Sequence, residues 1–478
     1  MSATLTRAKL VDLAGRPLFH DLHGRSQSAI EFVETVDHLS GAIVEASHPR
    51  ARVGLWYGNS IAAVEAFTAV EWIGGARVAV DPGASVTEAK EIFQAAGVDL
   101  VLTDTERAVE FSGAALVHDD AKPLTARPRP AIDPVDGDQT YLIYPRSVAN
   151  GELFGISLSY TNWQAIVDTN SALYRSGRYG RWDEKSEVFL STQQIMHGTG
   201  MLGLFPFLSM ALPQVIVDHF DVEKVLEAII RHDVTGTFFV PGMLRGFIGA
   251  IEDGGPAPGS LRHLLYGGGP VTGDETLRAI ACVGPILSQV YGRVEAGWPI
   301  SVLSPDDHAT MTPATPGLFG SCGRPVDEVE TRLRPLPGEP DDVGELQVKT
   351  KMASSGYTSS DGWCSVGDVM RRNPQGYLFY QRRLDRMINT GYHVYPDEIE
   401  SVIADISGVD GVSVVGEPHD KWGEMVVAYV VSTGESPDSE LVEKLARLLA
   451  VKLAKYKVPR KIVIVEKLPG SDAGTPPD

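Results

Sequence analysis

Between Arg52 and Asp104 short, mainly apolar runs alternate with helical ones. RVGLWY, ARVAVD and VDLVLTD read as buried strands, and SIAAVEAFTAVEWIGG and SVTEAKEIFQAAG between them as helices. Ser60 and Ser85 stand where a hydroxyl would cap a first turn, and both helical patterns end at glycine. Strands whose apolar residues are not confined to alternate positions are covered on both faces. The pattern therefore predicts a parallel sheet flanked by helices.

A polar, proline-rich connector, DDAKPLTARPRPAIDPVDGD, follows. A second α/β pattern then runs from about Thr140 to Ile300, with strand-like runs YLIY, VFLST, QVIV, TGTFFV, HLLYGG and ILSQVYG. GMLGLFPFLSMAL, the longest apolar stretch, is interrupted by Pro206 and Ser209 and is too short to span a bilayer, so it reads as a buried helix. Residues 315–380 carry shorter strands between turn residues, as in GELQVKT and GYLFYQ, and suggest a small β-barrel. Residues 386–478 read as helix, strand VSVVG, strand MVVAYVVS, helix SELVEKLARLLAVKLA and strand KIVIVE. The expected architecture is α/β: a large N-terminal domain of two α/β subdomains plus a small β-barrel, and a small mobile α+β C-terminal domain. Its boundaries are set at 1–381 for the core, 382–385 for a hinge and 386–478 for the lid.

A chain of 478 residues is too long for one core, which agrees with this division. Its formal charge of −20 argues against nucleic acid and anionic membranes as partners. Any anionic ligand would then need a local basic cluster. The three cysteines, Cys282, Cys322 and Cys364, lie far apart without metal-binding spacing, and MSATLTRAKLVDLAG has no apolar signal core, so the expected location is cytoplasmic.

The stretch QRRLDRMINTGYHVYPDEIE, residues 381–400, joins a basic cluster to a glycine turn at Gly391. It then reaches Pro396 at a helix start, with Asp397, Glu398 and Glu400 where the helix dipole favours acids. It resembles the hinge of AMP-forming acyl- and aryl-CoA synthetases, a superfamily that includes luciferases and the adenylation domains of nonribosomal peptide synthetases. LLYGGGP at 264–270, YGRVEAG at 291–297, WCSVGDVM at 363–370 and QQIMHGTGMLG at 193–203 carry the resemblance over most of the chain.

The resemblance implies roles for particular residues. Tyr291 and Gly292 would flank adenine, with Gly268, Gly269 and Pro270 bordering adenine and the acyl pocket. Glu295 would hold Mg²⁺, and Asp368 would accept both ribose hydroxyls. Arg382 would meet the ribose or α-phosphate, and His197 would close the carboxylate pocket. Leu384 takes the pivot position, where the family has Asp or Lys. Gly391, Tyr392 and His393, with the segment VVGEPHDKWGE, would line the thiol tunnel after a rotation of the lid. The implied cofactors are AMP or ATP and Mg²⁺, with CoA or a carrier-protein phosphopantetheine as the thiol. The implied substrate is a small carboxylic acid or its activated ester; an acyl carrier protein and a homodimer stay open.

Several positions depart from the family pattern. The phosphate loop, usually like TSGTTGxPKG, is RSVANGELFG at 146–155. Ser147, Gly151 and Gly155 survive, while Val148, Ala149, Asn150 and Phe154 replace a glycine, two threonines and the lysine. Val294 replaces a phosphate-binding threonine, and Thr475 follows Gly474 where the family has its catalytic lysine. If that lysine acts as a preorganised donor, its loss costs adenylation roughly 10²–10³-fold, about 3–4 kcal/mol. The sequence thus points to a carboxylate–thiol ligase acting through an acyl adenylate, weakened in its ATP-dependent step. The alternatives are a homologue using a preformed acyl-AMP or acyl thioester for transfer or amide formation, and a noncatalytic binding protein.

Overall fold

The computed structural model describes residues 3–111, 115–119, 127–132, 134–149, 152–314, 316–384, 386–390, 392–419, 423–434 and 437–468. The chain divides into two compact units. One comprises residues 1–79, 98–144 and 156–384; the other comprises 80–97, 145–155 and 385–478.

The predicted alternation after Arg52 forms two helices and three strands of a six-stranded sheet. Strands Arg52–Trp56, Ala76–Val80 and Leu100–Thr103 enclose helices Ile61–Trp72 and Val86–Ala95. The Ser60 and Ser85 hydroxyls accept from the backbone N–H of Ala63 and Glu88, so both caps form as predicted. The sheet ends in the strands Thr140–Ala149 and Glu152–Ser159. Residues 146–155, expected as a phosphate loop, are therefore mostly strand. Alternating side chains along LFGISLS favour a ladder, with Ile156 and Leu158 fully buried. Asn150 and Gly151 lie outside the described residues.

A thirteen-stranded sheet dominates the larger unit. Strands Pro17–Asp21, Gln214–Ile216, Phe189–Ser191, Gly236–Phe239, His263–Gly267 and Leu287–Arg293 run parallel to one another, and Ser26–Ser28 adds antiparallel to Pro17–Asp21 at the edge. Gly297–Leu303 turns back antiparallel to Leu287–Arg293 and opens the antiparallel end of the sheet. The strands expected over 315–380 as a small β-barrel form this end: Ser321–Pro325, Leu378–Arg383, Cys364–Arg372, Val343–Lys349 and Glu330–Pro335. The stretch read as a buried helix is helix Gly198–Met210; every side chain from Met201 to Met210 is buried, and Pro206 lies inside.

In the smaller unit helix Pro396–Ala404 and helix Asp438–Lys452 pack on strands Val409–His419, Gly423–Ser432 and Lys461–Ile464. Leu441, Leu445 and Leu449, four residues apart, form one buried helical face with Val414, Val426 and Ala428. Burying each leucine contributes about 1.5–3 kcal/mol. Lys457 is buried in this unit with its ammonium 2.6 Å from Glu88 and 2.7 Å from Glu398. Glu398, expected only to favour the helix N-terminus, is thus also a buried partner of a lysine.

Candidate functional site

The parallel pairing of His263–Gly267 with Leu287–Arg293 sets Gly267 beside Val290, so the glycine turn and Tyr291 leave adjacent strands together. A Cβ on Gly267 would come 2.3 Å from the Val290 carbonyl oxygen, closer than any side chain tolerates. Gly268 has φ +82°, a left-handed backbone suited to glycine, and Pro270 is exposed at the end of the turn. Gly269 packs near the Pro241 ring. At Gly292 a Cβ would meet the Trp298 Cβ at 2.6 Å and its Cα at 3.0 Å, so that glycine lets the two chain segments approach rather than leaving open space.

Asp368 is 2% exposed at the centre of a polar cluster. Strand pairing places it opposite Arg383, whose Nη1 lies 2.8 Å from Oδ1, and the Tyr291 hydroxyl donates to Oδ2. Burial raises the Tyr291 phenol well above its usual range, and the Asp368 charge adds to the effect. Tyr291 and Asp368 are therefore brought into direct contact.

Arg382, one residue earlier on the same strand, points the other way. It is half exposed and paired with Glu339 at 2.7 Å. Side chains alternate across a strand, so only one of two successive arginines can face Asp368. Arg383 holds that position.

Glu295, the expected metal ligand, is 4% exposed and carries an ion pair with Arg293, whose Nη2 lies 3.2 Å from Oε1. Its carbonyl oxygen accepts the Ser354 N–H at 2.9 Å, fixing the backbone there. Burial opposes the charge on Arg293, but Glu295 and then Asp368 outweigh it and hold the guanidinium above its ordinary range. Magnesium in a nucleotide site needs only one or two carboxylates beside phosphate oxygens. The obstacle at Glu295 is a desolvated cation already seated on the carboxylate. The residues present do not fit a magnesium ion there.

His197 precedes helix Gly198–Met210, and its Nδ1 lies 2.7 Å from the Tyr144 hydroxyl. Gly198 faces the Trp298 ring and Gly268 lies near Thr199 and Val240, so the histidine segment and the glycine turn share one neighbourhood.

The remaining residues named from the sequence do not join this cluster. Leu384 is exposed, and its N–H donates to the Gly367 carbonyl at 2.8 Å; the division between the two units falls between it and residue 385. Tyr392 stacks on Tyr456, with ring centroids 4.7 Å apart. His393 lies in a two-residue strand with Val394, and its side chain lies outside the described residues, as do that of Ser147 and all of Gly391 and Gly151. Residues 469–478, which hold Gly474 and Thr475, also lie outside them.

Sequence reasoning missed Arg293 and Arg383. The signal for Arg383 was the strand period combined with a buried Asp368. For Arg293 it was a cation inside an otherwise apolar strand end.

The pattern of the AMP-binding enzyme family matches residues 10–358, and that of the AMP-binding enzyme C-terminal domain matches residues 398–474. The 2-succinylbenzoate–CoA ligase of Listeria monocytogenes serotype 4b (strain F2365) is 30% identical over 342 residues, 69% of this chain and 66% of the relative. That of Oceanobacillus iheyensis is 28% identical over 298 residues, 60% of this chain and 59% of the relative, so the match spans under two thirds of that protein. Among solved structures, the amide bond synthetase McbA from Marinactinospora thermotolerans superposes with a TM-score of 0.80 at 27% identity, covering 98% of this chain and 97% of that one. A double mutant of o-succinylbenzoate CoA synthetase (MenE) from Bacillus subtilis shares the fold at TM-score 0.83 and 23% identity, over 97% of this chain and 95% of that one. No described helix is long and apolar enough to cross a membrane. With both parts of the chain matched, this protein belongs to the AMP-binding enzyme family, the adenylate-forming superfamily of acyl- and aryl-CoA ligases.

Proposed function

We propose that this protein joins a small carboxylic acid to a thiol through an acyl adenylate, and that it holds the adenylate better than it uses ATP. The observation that carries this reading is the contact of Tyr291 with Asp368 beside the glycine turn. An aromatic ring, a buried carboxylate and close backbone access stand together where an adenosine needs them. In this reading the ribose hydroxyls donate to Asp368, and Arg383 orients that carboxylate. Adenine lies against Tyr291, and the acyl group extends toward His197 and Trp298. Arg382, exposed on the other strand face, is assigned no part in holding the nucleotide.

The weakness toward ATP follows from residue chemistry. A β,γ-phosphate tail needs backbone amides, hydroxyls and a cation. Phe154, 54% exposed, offers none where the family pattern has lysine, and Val294 cannot donate a hydroxyl. The acceptor is proposed to be CoA or a phosphopantetheine thiol, following the named activity of the ligase relatives. A second reading has an amine as acceptor; it is favoured by the likeness to an amide bond synthetase along nearly the whole chain.

Calorimetric titration tests the central claim. AMP and a nonhydrolysable acyl-sulfamoyl adenosine are expected to bind more tightly than ATP, with or without magnesium. Tighter binding of MgATP than of AMP would return the chain to a conventional synthetase with an unusual loop. Incubating the protein with chemically prepared acyl adenylates and either CoA or an amine then distinguishes the two acceptors by product mass.

A further inference from the structure

The strongest unexplained feature of the larger unit is a buried arginine on the carboxylate that the family would give to a metal. Arg293 is 5% exposed and Glu295 is 4% exposed. Two residues apart at the end of strand Leu287–Arg293, they form an ion pair at 3.2 Å. Arg383 forms a second such pair with Asp368 at 2.8 Å, and Tyr291 bridges toward it through its hydroxyl. The cluster therefore holds two carboxylates and two guanidinium groups.

We propose that Arg293 takes the place of a divalent cation beside Glu295, so that this protein binds AMP or an acyl adenylate without magnesium. The charge balance supports it. Glu295 with Arg293 and Asp368 with Arg383 each sum to zero, so neither pair leaves a net negative charge to draw in a divalent ion. A magnesium ion entering the pair would need to expel a desolvated arginine or sit against it, and either leaves a like charge buried without compensation. Guanidinium cannot lose its proton in a protein, so the replacement is permanent rather than switchable. It also acts through directional N–H donors held in a fixed fork. Mg²⁺ has no directional donor to offer; it binds phosphate through its own coordination sphere. The chain thus trades a soluble cofactor for a fixed one, which suits a site that receives a monophosphate and does not have to clamp a triphosphate.

This inference rests on the adenylate reading, and its test separates the two. Manganese is the probe, followed by electron paramagnetic resonance on the whole protein with and without AMP, together with AMP calorimetry in magnesium and in EDTA. The wild-type protein is expected to bind no stoichiometric Mn²⁺, and its AMP affinity should agree within about twofold between magnesium and EDTA. Arg293→Met should gain one Mn²⁺ site. An AMP affinity that falls about tenfold or more in EDTA, or a wild-type Mn²⁺ site that Glu295→Gln removes, overturns the proposal.

If AMP binds in neither condition, the adenylate reading fails while the manganese measurement still decides. A site gained by Arg293→Met keeps the arginine in the metal's place, and none gained removes it. Should Arg293→Met not fold, the wild-type comparison alone decides the question.

Discussion

Glu71→Ala should destabilise the larger unit by about 3–5 kcal/mol, because it strands a buried arginine. Arg77, in strand Ala76–Val80, has no exposed surface. Its guanidinium carbon lies 4.1 Å from the Tyr141 ring centroid, 4.9 Å from Phe205, 5.2 Å from Phe67 and 5.4 Å from Trp163. Glu71 is its carboxylate partner at 3.0 Å, and the same oxygen accepts from the Tyr141 hydroxyl at 2.7 Å. Among the described residues Nε and Nη1 have no hydrogen-bond partner and are faced by aromatic rings instead, whose π-electrons offset part of the desolvation. Burial pulls the guanidinium down to about 10, against the attraction of Glu71. Removing the carboxylate leaves that burial uncompensated.

The double variant Glu71→Leu with Arg77→Met should recover most of the loss, since well-packed apolar residues often replace a buried pair at little cost. Tyr141 would still lose an acceptor, worth about 1 kcal/mol. Urea unfolding followed by tryptophan fluorescence measures both, with Trp163 stacked on Tyr141 as the local reporter. A single-variant loss below about 1 kcal/mol would mean that the rings, not Glu71, carry the charge.

Arg77 also shows what the sequence conceals. ARVAVD reads as an apolar strand with a single charge inside it, Arg77, before Asp81 ends it, and strand, sheet and flanking helices all formed as the periodicity predicts. Local information sufficed there, because apolar runs, serine caps and terminal glycines act within a few residues of themselves. The partners of the arginine come from residues 67, 71, 141, 163 and 205, and no local rule reports a contact of that range.

The site divides in the same way. Tyr291, Asp368 and the glycine turn were legible as motifs, and the structure places them together. Which arginine faces Asp368 depends on register between two strands of the antiparallel end of the sheet, and a motif that names Arg382 is blind to it. The pairing of Arg293 with Glu295 was hidden for a different reason: i and i+2 on a strand share a face, but a turn follows Arg293 here, and the geometry of that turn decides whether the two side chains meet. The first residues were unreadable because their strand, Pro17–Asp21, gains its neighbours from Gln214–Ile216 and Ser26–Ser28, the first of them far along the chain.

Asp368→Asn should weaken AMP binding by about 1.5–3 kcal/mol, the worth of hydrogen bonds to a charged acceptor. Converted to affinity, that is a loss of roughly ten- to 150-fold. The amide keeps the shape of the side chain, so Arg383 and Tyr291 stay close while the charge that the ribose hydroxyls would meet is gone. Asp368→Ala is the harsher change. Arg383, whose side chain is 9% exposed, loses the carboxylate charge in both variants, but alanine also removes the acceptor oxygen, and about 3–5 kcal/mol of stability should go with it. Comparing the two variants by calorimetry and thermal unfolding therefore separates recognition from folding.

Tyr291→Phe supplies the third arm. The phenol hydroxyl already donates to Oδ2 of Asp368, the carboxylate that the ribose would use. If the ribose displaces it, deleting the hydroxyl removes a competitor, and AMP affinity should hold or rise. If the hydroxyl instead orients the carboxylate for the ligand, affinity should fall by about 1 kcal/mol. Unchanged AMP affinity in Asp368→Asn, with the fold intact, would mean that the nucleotide is held elsewhere, and the buried pair with Arg383 would then be a strand-to-strand tie inside the larger unit.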